Sequence, residues 1–579
     1  MSHDGRAMIG IGTGRGRAHS WRIVAGACAA VLVATGCTLE ADVSATGAVE
    51  ANVSHLWITV SEVWFATAAD TTPEATAGWT KSVLATPVTV DLATLSQSTL
   101  ASLASAISLP AGTYKQVHLV VADSSDALLT SAQSLGFTTN AGITLADASG
   151  TVTTSALESP IPEGGITIPV DLVLAGSFDF GSSSNTDSTT ATGTTSTSTT
   201  STTSTTKTST LAVTIDAARD VLPYTYGTTT SYLLSAVALV TDEKYAGAIS
   251  GTVDTSGLAA GYGEVTVSAE TTDATNSHHV VVQRRLVGID GAFTLYPLPA
   301  PSSGTTNYDL VISSSGAETV IIRDVPVSSA AVTSAVAVQS TPIVLGAANP
   351  VYANVGTELP LLPGGARVDF YQTVAASGEL PYVVAGTAVD ILSHRLPNGA
   401  FAVSNGPIVV GTYASGGSIS FSTLAPVEGE GGYVIGTEGL YRADALATAP
   451  SVITGTSTAP TPILAPYPPV AAGGVAGSIA VTLTAPIGEF DSGFVIVAAG
   501  NRIVDATNVG AVLAAGGGTV NFTNLPAGSG LAATAGVPYQ VALRAWNSNS
   551  AASSFIRATS TASAVLGNAG RATVALQLP

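Results

Sequence analysis

The stretch Leu109-Pro-Ala-Gly-Thr-Tyr-Lys-Gln-Val-His-Leu-Val-Val121 holds a turn followed by a strand. Pro110 fixes its own φ and Gly112 tolerates conformations that other residues avoid, so the chain reverses there. From Tyr114 to Val121, β-branched and aromatic residues dominate, which suits a pleated, half-buried surface. The pattern continues upstream. Val49–Phe65 reads VEANVSHLWITVSEVWF, a β-rich segment with imperfect alternation, and Val83–Leu92 (VLATPVTVDL) is a second strand. Leu100–Leu109, between that strand and the turn, is expected as a short helix. Downstream, single Val, Ile, Leu and Ala spaced by Thr, Ser and Gly run to the C-terminus. No run of about 20 apolar residues appears that could span a bilayer as a helix. The expectation is an all-β chain of tandem β-sandwiches.

Composition sets the outer bounds. The 579 residues carry 39 Asp+Glu against 19 Lys+Arg, 10% charged residues, 60 Gly, 29 Pro and two Cys. Several cores are expected at this length. A formal charge of −20 argues against nucleic acid as a partner, because phosphate backbones are bound by basic surfaces that release counterions.

The N-terminus supplies an address. Arg15, Arg17 and Arg22 precede an apolar run from Ile23 to Thr35, which ends at Gly36-Cys37. A basic region, a short apolar region and small residues before a cut form a secretory signal over residues 1–36. With Cys just after the cut, the stretch resembles the lipobox of bacterial lipoproteins. That resemblance implies cleavage between Gly36 and Cys37 and a lipid on the Cys37 thiol, although Ala34 stands where Leu is commoner. Cys28 would leave with the signal, so the mature chain keeps one cysteine and no internal disulfide. Removing residues 1–36 takes away four Arg and one Asp, leaving 38 acids, 15 bases and a charge of −23. Membrane attachment would then rest on acyl chains rather than on charge. Thr38 follows the Cys, with no Asp to resemble an inner-membrane retention signal, so the outer membrane is the expected location. Residues 37–47 are expected as a tether.

Further motifs lie in order along the chain: Pro87–Leu95 (PVTVDLATL), Leu109–Val121, Gly176–Phe180 (GSFDF), Ile215–Val221 (IDAARDV) and Tyr232–Val240 (YLLSAVALV). Together with the strand carrying Trp64, they resemble bacterial domain-of-unknown-function family 4382 over residues 48–243. The resemblance implies an exported β module without established chemistry. Within it, residues 182–210 contain 24 Ser or Thr in 29 positions. Such a segment buries too little apolar area to offset its ordering entropy and is expected as a disordered loop. Repeat slippage is the plain account of it, and O-glycosylation is the functional one.

Residues 246–345 begin a different unit. Gly247–Val253 (GAISGTV), Gly263–Glu270 (GEVTVSAE), Gly288–Ala300 (GIDGAFTLYPLPA) and Asn307–Val327 resemble carboxypeptidase regulatory-like, prealbumin-type β-sandwiches. In that family an Asp-Gly-x-Phe turn, here Asp290–Phe293, precedes a Tyr-x-Leu strand, here Tyr308–Leu310. The family implies an Ig-like or prealbumin-like sandwich and brings no zinc site. The phrase recurs as Gly417–Leu424 (GSISFSTL) with Tyr433 and as Gly518–Pro526 (GTVNFTNLP) with Tyr539. Residues 349–449 and 474–579 are therefore expected as two diverged copies, joined by a Pro-rich linker over 450–473. The whole should be a lipid-tethered rod.

The motifs of chemistry are missing from the sequence. There is no Gly-x-Ser-x-Gly elbow, no phosphate loop and no His-Glu-x-x-His. The Gly10–Gly16 run lies in the leader without a preceding strand. His278 and His279 are adjacent, and neighbours on a strand face opposite ways, so an exposed pair with no shared metal is expected. His55 and His118 sit in apolar strands and read as structural. Asp123 with Asp126, and Glu428 with Glu430, lack the dense oxygen loop calcium needs and read as solvated turns. Trp57 and Trp64 read as core, whereas Trp79 and Trp546, beside turns, are candidate platforms for stacking on sugar rings. No enzyme, metal or cofactor is expected. The expected role is a lipid-anchored envelope protein presenting β modules for structural, adhesive or scaffold purposes. A carbohydrate-binding lipoprotein or an accessory subunit of a secreted hydrolase is the alternative, with a glycan or an envelope protein as partner.

Overall fold

The computed structural model describes residues 38–579 except for 51, 69–76, 96–97, 147–149, 162–164, 175–207, 227–228, 236–237, 260–262, 274–276, 330–334, 356–361, 364, 375–378, 397–399, 416–417, 439–443, 471–474, 500–501, 529–535, 548–556 and 568–569. The signal region, Gly36, Cys37 and the Ser/Thr-rich residues 182–207 lie outside the described residues. The chain is all-β, as its alternation of short apolar strands and turns requires, and it forms tandem β-sandwich modules.

The N-terminal module holds β1 (Thr38–Ala48), β2 (Val53–Ala66), β3 (Trp79–Asp91), β4 (Ala101–Pro110), β5 (Gly112–Val121), β6 (Gly142–Ala146), β7 (Val152–Glu158), β8 (Gly165–Leu174), β9 (Thr208–Asp216), β10 (Val221–Tyr226), β11 (Thr229–Leu234) and β12 (Leu239–Asp242). One sheet runs β12-β9-β1-β4; the other runs β10-β11-β7-β6-β2-β5-β8, with β3 on the free edge of β2. Their inner faces share one apolar core that includes Val43, Ile58, Phe65, Leu109, Val117 and Val213.

Three expectations change here. Residues 38–47 are not a tether: they belong to β1, a central strand paired with β4 on one side and β9 on the other, in which Ala41, Val43 and Ala45 are fully buried. Leu100–Leu109 is not a helix. Its apolar spacing departs from strict alternation because β1 and β4 pair with shifts in register, which bury Leu103, Ala104 and Ile107 and leave Ser105 exposed. Thr208–Thr210 open β9 instead of closing the Ser/Thr-rich loop.

The imperfect alternation in Val49–Phe65 also has a cause. β2 shifts register between Val60 and Glu62, so Leu56, Ile58 and Val60 face the core before the shift, and Val63 and Phe65 after it.

Three further modules share one topology. The second holds β13 (Ala246–Asp254), β14 (Thr266–Asp273), β15 (His278–Leu286), β16 (Ala292–Pro299), β17 (Thr306–Ser313), β18 (Thr319–Val327), β19 (Val336–Ala337) and β20 (Ile343–Val344). The third holds β21 (Pro350–Val355), β22 (Arg367–Gln372), β23 (Tyr382–Ala388), β24 (Phe401–Ser404), β25 (Ile408–Thr412), β26 (Ser422–Leu424), β27 (Gly432–Glu438), β28 (Ala445–Leu446), β29 (Ser451–Val452) and β30 (Thr461–Ile463). The fourth holds β31 (Val475–Thr484), β32 (Ser492–Ala499), β33 (Arg502–Asn508), β34 (Gly517–Ala527), β35 (Val537–Trp546), β36 (Arg557–Leu566) and β37 (Arg571–Gln577).

In each module the first strand lies between an antiparallel fourth strand and a parallel strand from the module's C-terminal end: β16-β13-β19, with β20 continuing beside β13, β24-β21-β30 and β34-β31-β37. The facing sheets run β15-β14-β17-β18, β23-β22-β27-β28 and β33-β32-β35-β36. A tyrosine hydroxyl ties the two layers in all three. Tyr308 donates to the Pro299 carbonyl at 2.6 Å, Tyr539 to the Pro526 carbonyl at 2.6 Å, and Tyr433 to the Ser404 carbonyl.

This alignment corrects the repeat phrase in the third module. Ser422–Leu424 is not the counterpart of β16. That place is taken by β24, whose Phe401 follows Asn398-Gly399-Ala400 as Phe293 follows Asp290-Gly291-Ala292. The hairpin β25–β26 is an insertion that crosses into the second module, where β25 pairs in parallel with β18. The stretch 450–473 is not simply a linker, since β30 is the last strand of the third sandwich and Ile453 and Ile463 are in its core.

Nor do the modules form a rod. Leu222, Tyr224 and Leu233 of the N-terminal module, Ala388 and Ile391 of the third and Phe494, Ile496 and Ile503 of the fourth pack into one apolar cluster. Large flat sheet faces with buried apolar residues on both sides must find a second layer, and here each module supplies one to its neighbours.

Candidate functional site

Beside that cluster all four modules border a cavity of about 530 Å³. Its position follows from strand ends. β1 and β9 run parallel and finish together at Ala48 and Asp216, where a short helical turn, Ala217–Asp220, reverses the chain. β15 passes over this end and brings Arg284 to 3.0 Å from Asp216. The third module contributes Arg367, whose Nε donates to Asp369 at 2.6 Å and whose Nη1 donates to the Ala218 carbonyl at 2.9 Å. Arg219 reaches Glu438 at 3.7 Å, and Arg502 of the fourth module lines the same space.

Electrostatics in this space are mutual. Burial would raise the Asp216 carboxyl, but Arg284, Arg367 and Arg219 outweigh it and hold the group below the ordinary carboxylate value. Glu438 is likewise lowered, its burial outweighed by Arg219, Arg367 and Arg502. For Asp369 burial wins and the carboxyl is raised, despite Arg367 beside it. Burial would lower Arg367, but Asp369, Asp216 and Glu438 raise it. The guanidinium groups of Arg219, Arg284, Arg367 and Arg502 therefore share this space with six carboxylates, Asp216, Asp220, Asp273, Asp369, Glu438 and Asp444, and the pairs Arg284–Asp216 and Arg219–Glu438 cross module boundaries.

The histidine pair is buried, not exposed, at 2% and 3% relative accessibility. His278 Nε2 lies 3.1 Å from Asp444 and its Nδ1 2.7 Å from the His279 carbonyl. His279 Nε2 lies 3.3 Å from Asp309, and its ring stacks on Tyr382 at 3.9 Å. The two rings engage different carboxylates. Burial lowers the His278 basicity, and the bond to Asp444 and the His279 carbonyl more than restore it. Close by, Glu270 is fully buried and raised to about 8 by desolvation, although the Val383 N–H at 3.1 Å and the Ser268 hydroxyl at 3.0 Å both donate to it. Val383 belongs to the third module, so Glu270 also bridges two modules. No group of three or more His, Cys, Asp or Glu is placed to hold a metal among the described residues.

The residues singled out from the sequence fall elsewhere. Trp57 is buried, stacked on Phe137 at 4.2 Å, with its Nε1 donating to the Thr139 carbonyl at 2.9 Å. Trp64 is not core: it is half-buried on the outer face, with Lys81 Nζ 3.5 Å from its ring centroid. Trp79 is half-buried at the start of β3, 5.9 Å from Trp64 and 5.8 Å from His118. Trp546 is not an open platform, because Tyr226 of the N-terminal module at 4.7 Å and Phe494 at 5.9 Å enclose it.

His118 is buried against Thr167 at 2.8 Å, and burial, with Lys81, pushes it down to about 3. His55 pairs with Asp91 at 2.6 Å. Asp123 caps its own turn at Ser125, and Glu428 accepts from the Thr373 N–H at 3.0 Å. The junction itself was missed in the sequence, since its members come from four modules. The sole signal was how few charges the chain has in which to find them.

No curated protein matches the chain. Among solved structures, a leucine-rich repeat protein from Bacteroides thetaiotaomicron VPI-5482 is similar at 12% identity and TM-score 0.13, covering 40% of this chain and 26% of its own. The tetra-tandem repeat in the extending region of a large adhesion protein is similar at 11% identity and TM-score 0.10, covering 78% and 95%. At those scores neither likeness bears on fold or role, and the chain spans about a quarter of the first structure's length. The N-terminal module, over residues 41–236, matches the family described as domain of unknown function DUF4382.

Proposed function

We propose that the chain is a non-enzymatic, lipid-anchored protein of the bacterial cell envelope, outer membrane in location, whose β modules form one welded body with a scaffold or adhesive role. The observation that carries this is the junction. Its charged side chains are spent on one another across module boundaries, which is what holding four sandwiches in a fixed arrangement requires. The anchor rests on the leader and on Cys37. Expression with the leader, palmitate labelling and detergent-phase partitioning test it: label and partitioning should both be lost in Cys37→Ala. Equal labelling of the two proteins would remove the anchor. Small-angle scattering on residues 38–579 tests the welded body, for which a compact particle is expected and an extended rod would be fatal.

A further inference from the structure

A smaller cavity, of about 290 Å³, shares Ala48, Thr266 and Arg284 with the four-module one and lies where the end of β1 meets the second and third modules. The third sandwich is open on that side. Its edge strands β23 and β24 belong to opposite sheets, and between them Val384, Val403 and Tyr433 of its core, with Phe401 packed against them, form one wall. The second module forms the opposite wall with Thr266 from the start of β14, Arg285 from the end of β15 and Ser313 from the end of β17. Glu50 and Glu264 border the space as well. Both are partly exposed, whereas Arg285, Val384, Val403 and Tyr433 are buried, so the acids stand at the mouth and the others inside.

Arg285 is the unusual member. It is 4% accessible and, unlike Arg219, Arg284 and Arg367, pairs with no carboxylate among the described residues. Its Nη2 donates to the Thr46 hydroxyl at 2.8 Å and to the Tyr296 carbonyl at 3.3 Å, and its Nε has no acceptor. Thr46 and Ala48 are two residues apart on β1 and so share a face, which sets the guanidinium beside the Ala48 side of the cavity. Burial pushes Arg285 down to about 10, with the field of Asp216 opposing it. Two bonds to neutral oxygens need no charge, and a glutamine would serve for them. A buried cation with an N–H left over is costly until an anion joins it.

We infer that this cavity is a binding site for a free α-amino acid with an apolar side chain. The carboxylate joins Arg285 and accepts from its open Nε–H, the side chain lies on Val384, Phe401 and Val403, and the ammonium faces Glu50 and Glu264 at the mouth. Each feature excludes a rival. A plain carboxylic acid would meet two acids with nothing to offset them, an amine would leave Arg285 unpaired, and a sugar would set hydroxyls against an apolar wall. The size is suitable: a cavity of about 150 Å³ holds benzene, so 290 Å³ takes a phenyl ring together with an amino-acid head. Binding there adds to a scaffold role and is independent of the lipid anchor.

Isothermal titration calorimetry of the full chain with L-valine, L-leucine and L-phenylalanine tests the site, and at least one of them should bind once per chain. The amide of the tightest binder lacks the carboxylate and its N-acetyl derivative lacks the ammonium. Each should bind roughly ten-fold more weakly or worse, as expected when one member of a desolvated charge pair is removed. Arg285→Gln keeps donors for Thr46 and Tyr296 and removes the charge, so the preference for the amino acid over its amide should vanish while the discrimination against the N-acetyl form persists. The ligand series on the unsubstituted chain decides the matter even where that variant fails to fold. Binding of none of the three amino acids, an amide or N-acetyl derivative as tight as its parent, or a preference over the amide unchanged in folded Arg285→Gln would overturn the site and leave the welded body and the anchor untouched.

Discussion

Glu270 shows how much one buried group can govern. Its folded-state value of about 8 lies above the ordinary carboxyl value of 4.5. The folded protein therefore holds a proton that the unfolded chain has released, and stability falls as pH rises from about 4.5 to 8. At about 1.4 kcal/mol per pH unit, ionisation of Glu270 costs a few kcal/mol. Glu270→Gln keeps an acceptor for the Val383 N–H and removes the ionisation. It should match the parent near pH 4.5 and exceed it by about 2 kcal/mol or more at pH 9, as read from urea unfolding at the two pH values. Identical pH profiles would show that Glu270 is not the group responsible.

Gly142 gives a steric counterpart, because a Cβ there would meet the Trp57 ring. Gly142→Ala should cost about 1–3 kcal/mol of stability and shift the Trp57 fluorescence as its stack on Phe137 opens. None of this was legible in the chain. Trp57 and Trp64 look alike in sequence, and the register shift between Val60 and Glu62 leaves both on the outer face, where only Trp57 is covered by Phe137.

Among the elements, the hairpin β25–β26 does most to join neighbours. Ile408 and Val410 face the third core together with Val311 and Ile321, while Val409 and Ile419 face the second. One sheet is thereby buried on both sides, and its strands belong to two modules. Ile408→Ala removes a fully buried side chain and should cost about 2–4 kcal/mol. Its distinguishing outcome is faster amide exchange in Thr319–Val327 of the other module, since Thr319 pairs with Ile408. Exchange unchanged there would mean the modules are only adjacent. Strand composition and turns made the sandwiches legible, as did the tyrosines. The hairpin was not, because Gly417–Leu424 carries the same Gly-x-x-x-Phe phrase as a true repeat, and only pairing separates it from Phe401. Short strands such as Thr461–Ile463, set among prolines, read as linker until a partner strand is known.

At the scale of the molecule, low charge takes on a meaning that composition could not supply. The chain has 19 Lys and Arg, and Arg219, Arg284, Arg367 and Arg502 gather around one cavity. Sequence can count these charges but cannot say that residues from 219 to 502 meet, since the pairing depends on how sandwiches stack. Arg367 is placed more deeply than Arg284 or Arg219, at 14% side-chain exposure, touching Asp369 and the Ala218 carbonyl. Arg367→Met keeps much of the stem but leaves Asp369 without its partner and removes a cation that lowers Asp216 and Glu438. Stranding buried carboxylates in this way costs on the order of 3–5 kcal/mol. The hydrogen bond to the Ala218 carbonyl and the field on Asp216 cross into the N-terminal module, so the loss weakens docking as well as the third sandwich, in which Arg367, Asp369 and Glu438 all lie. Calorimetry should therefore show the parent's main transition split, with the N-terminal module melting apart from the rest, and small-angle scattering should show a larger radius of gyration. The Arg367–Asp369 pair is shielded from solvent, so moderate salt should weaken it less than the more exposed Arg219–Glu438 pair. A variant that melts in one unsplit transition at a lower temperature, with the parent's dimensions, would place Arg367 in the stability of its own module and deny the junction its role as the weld.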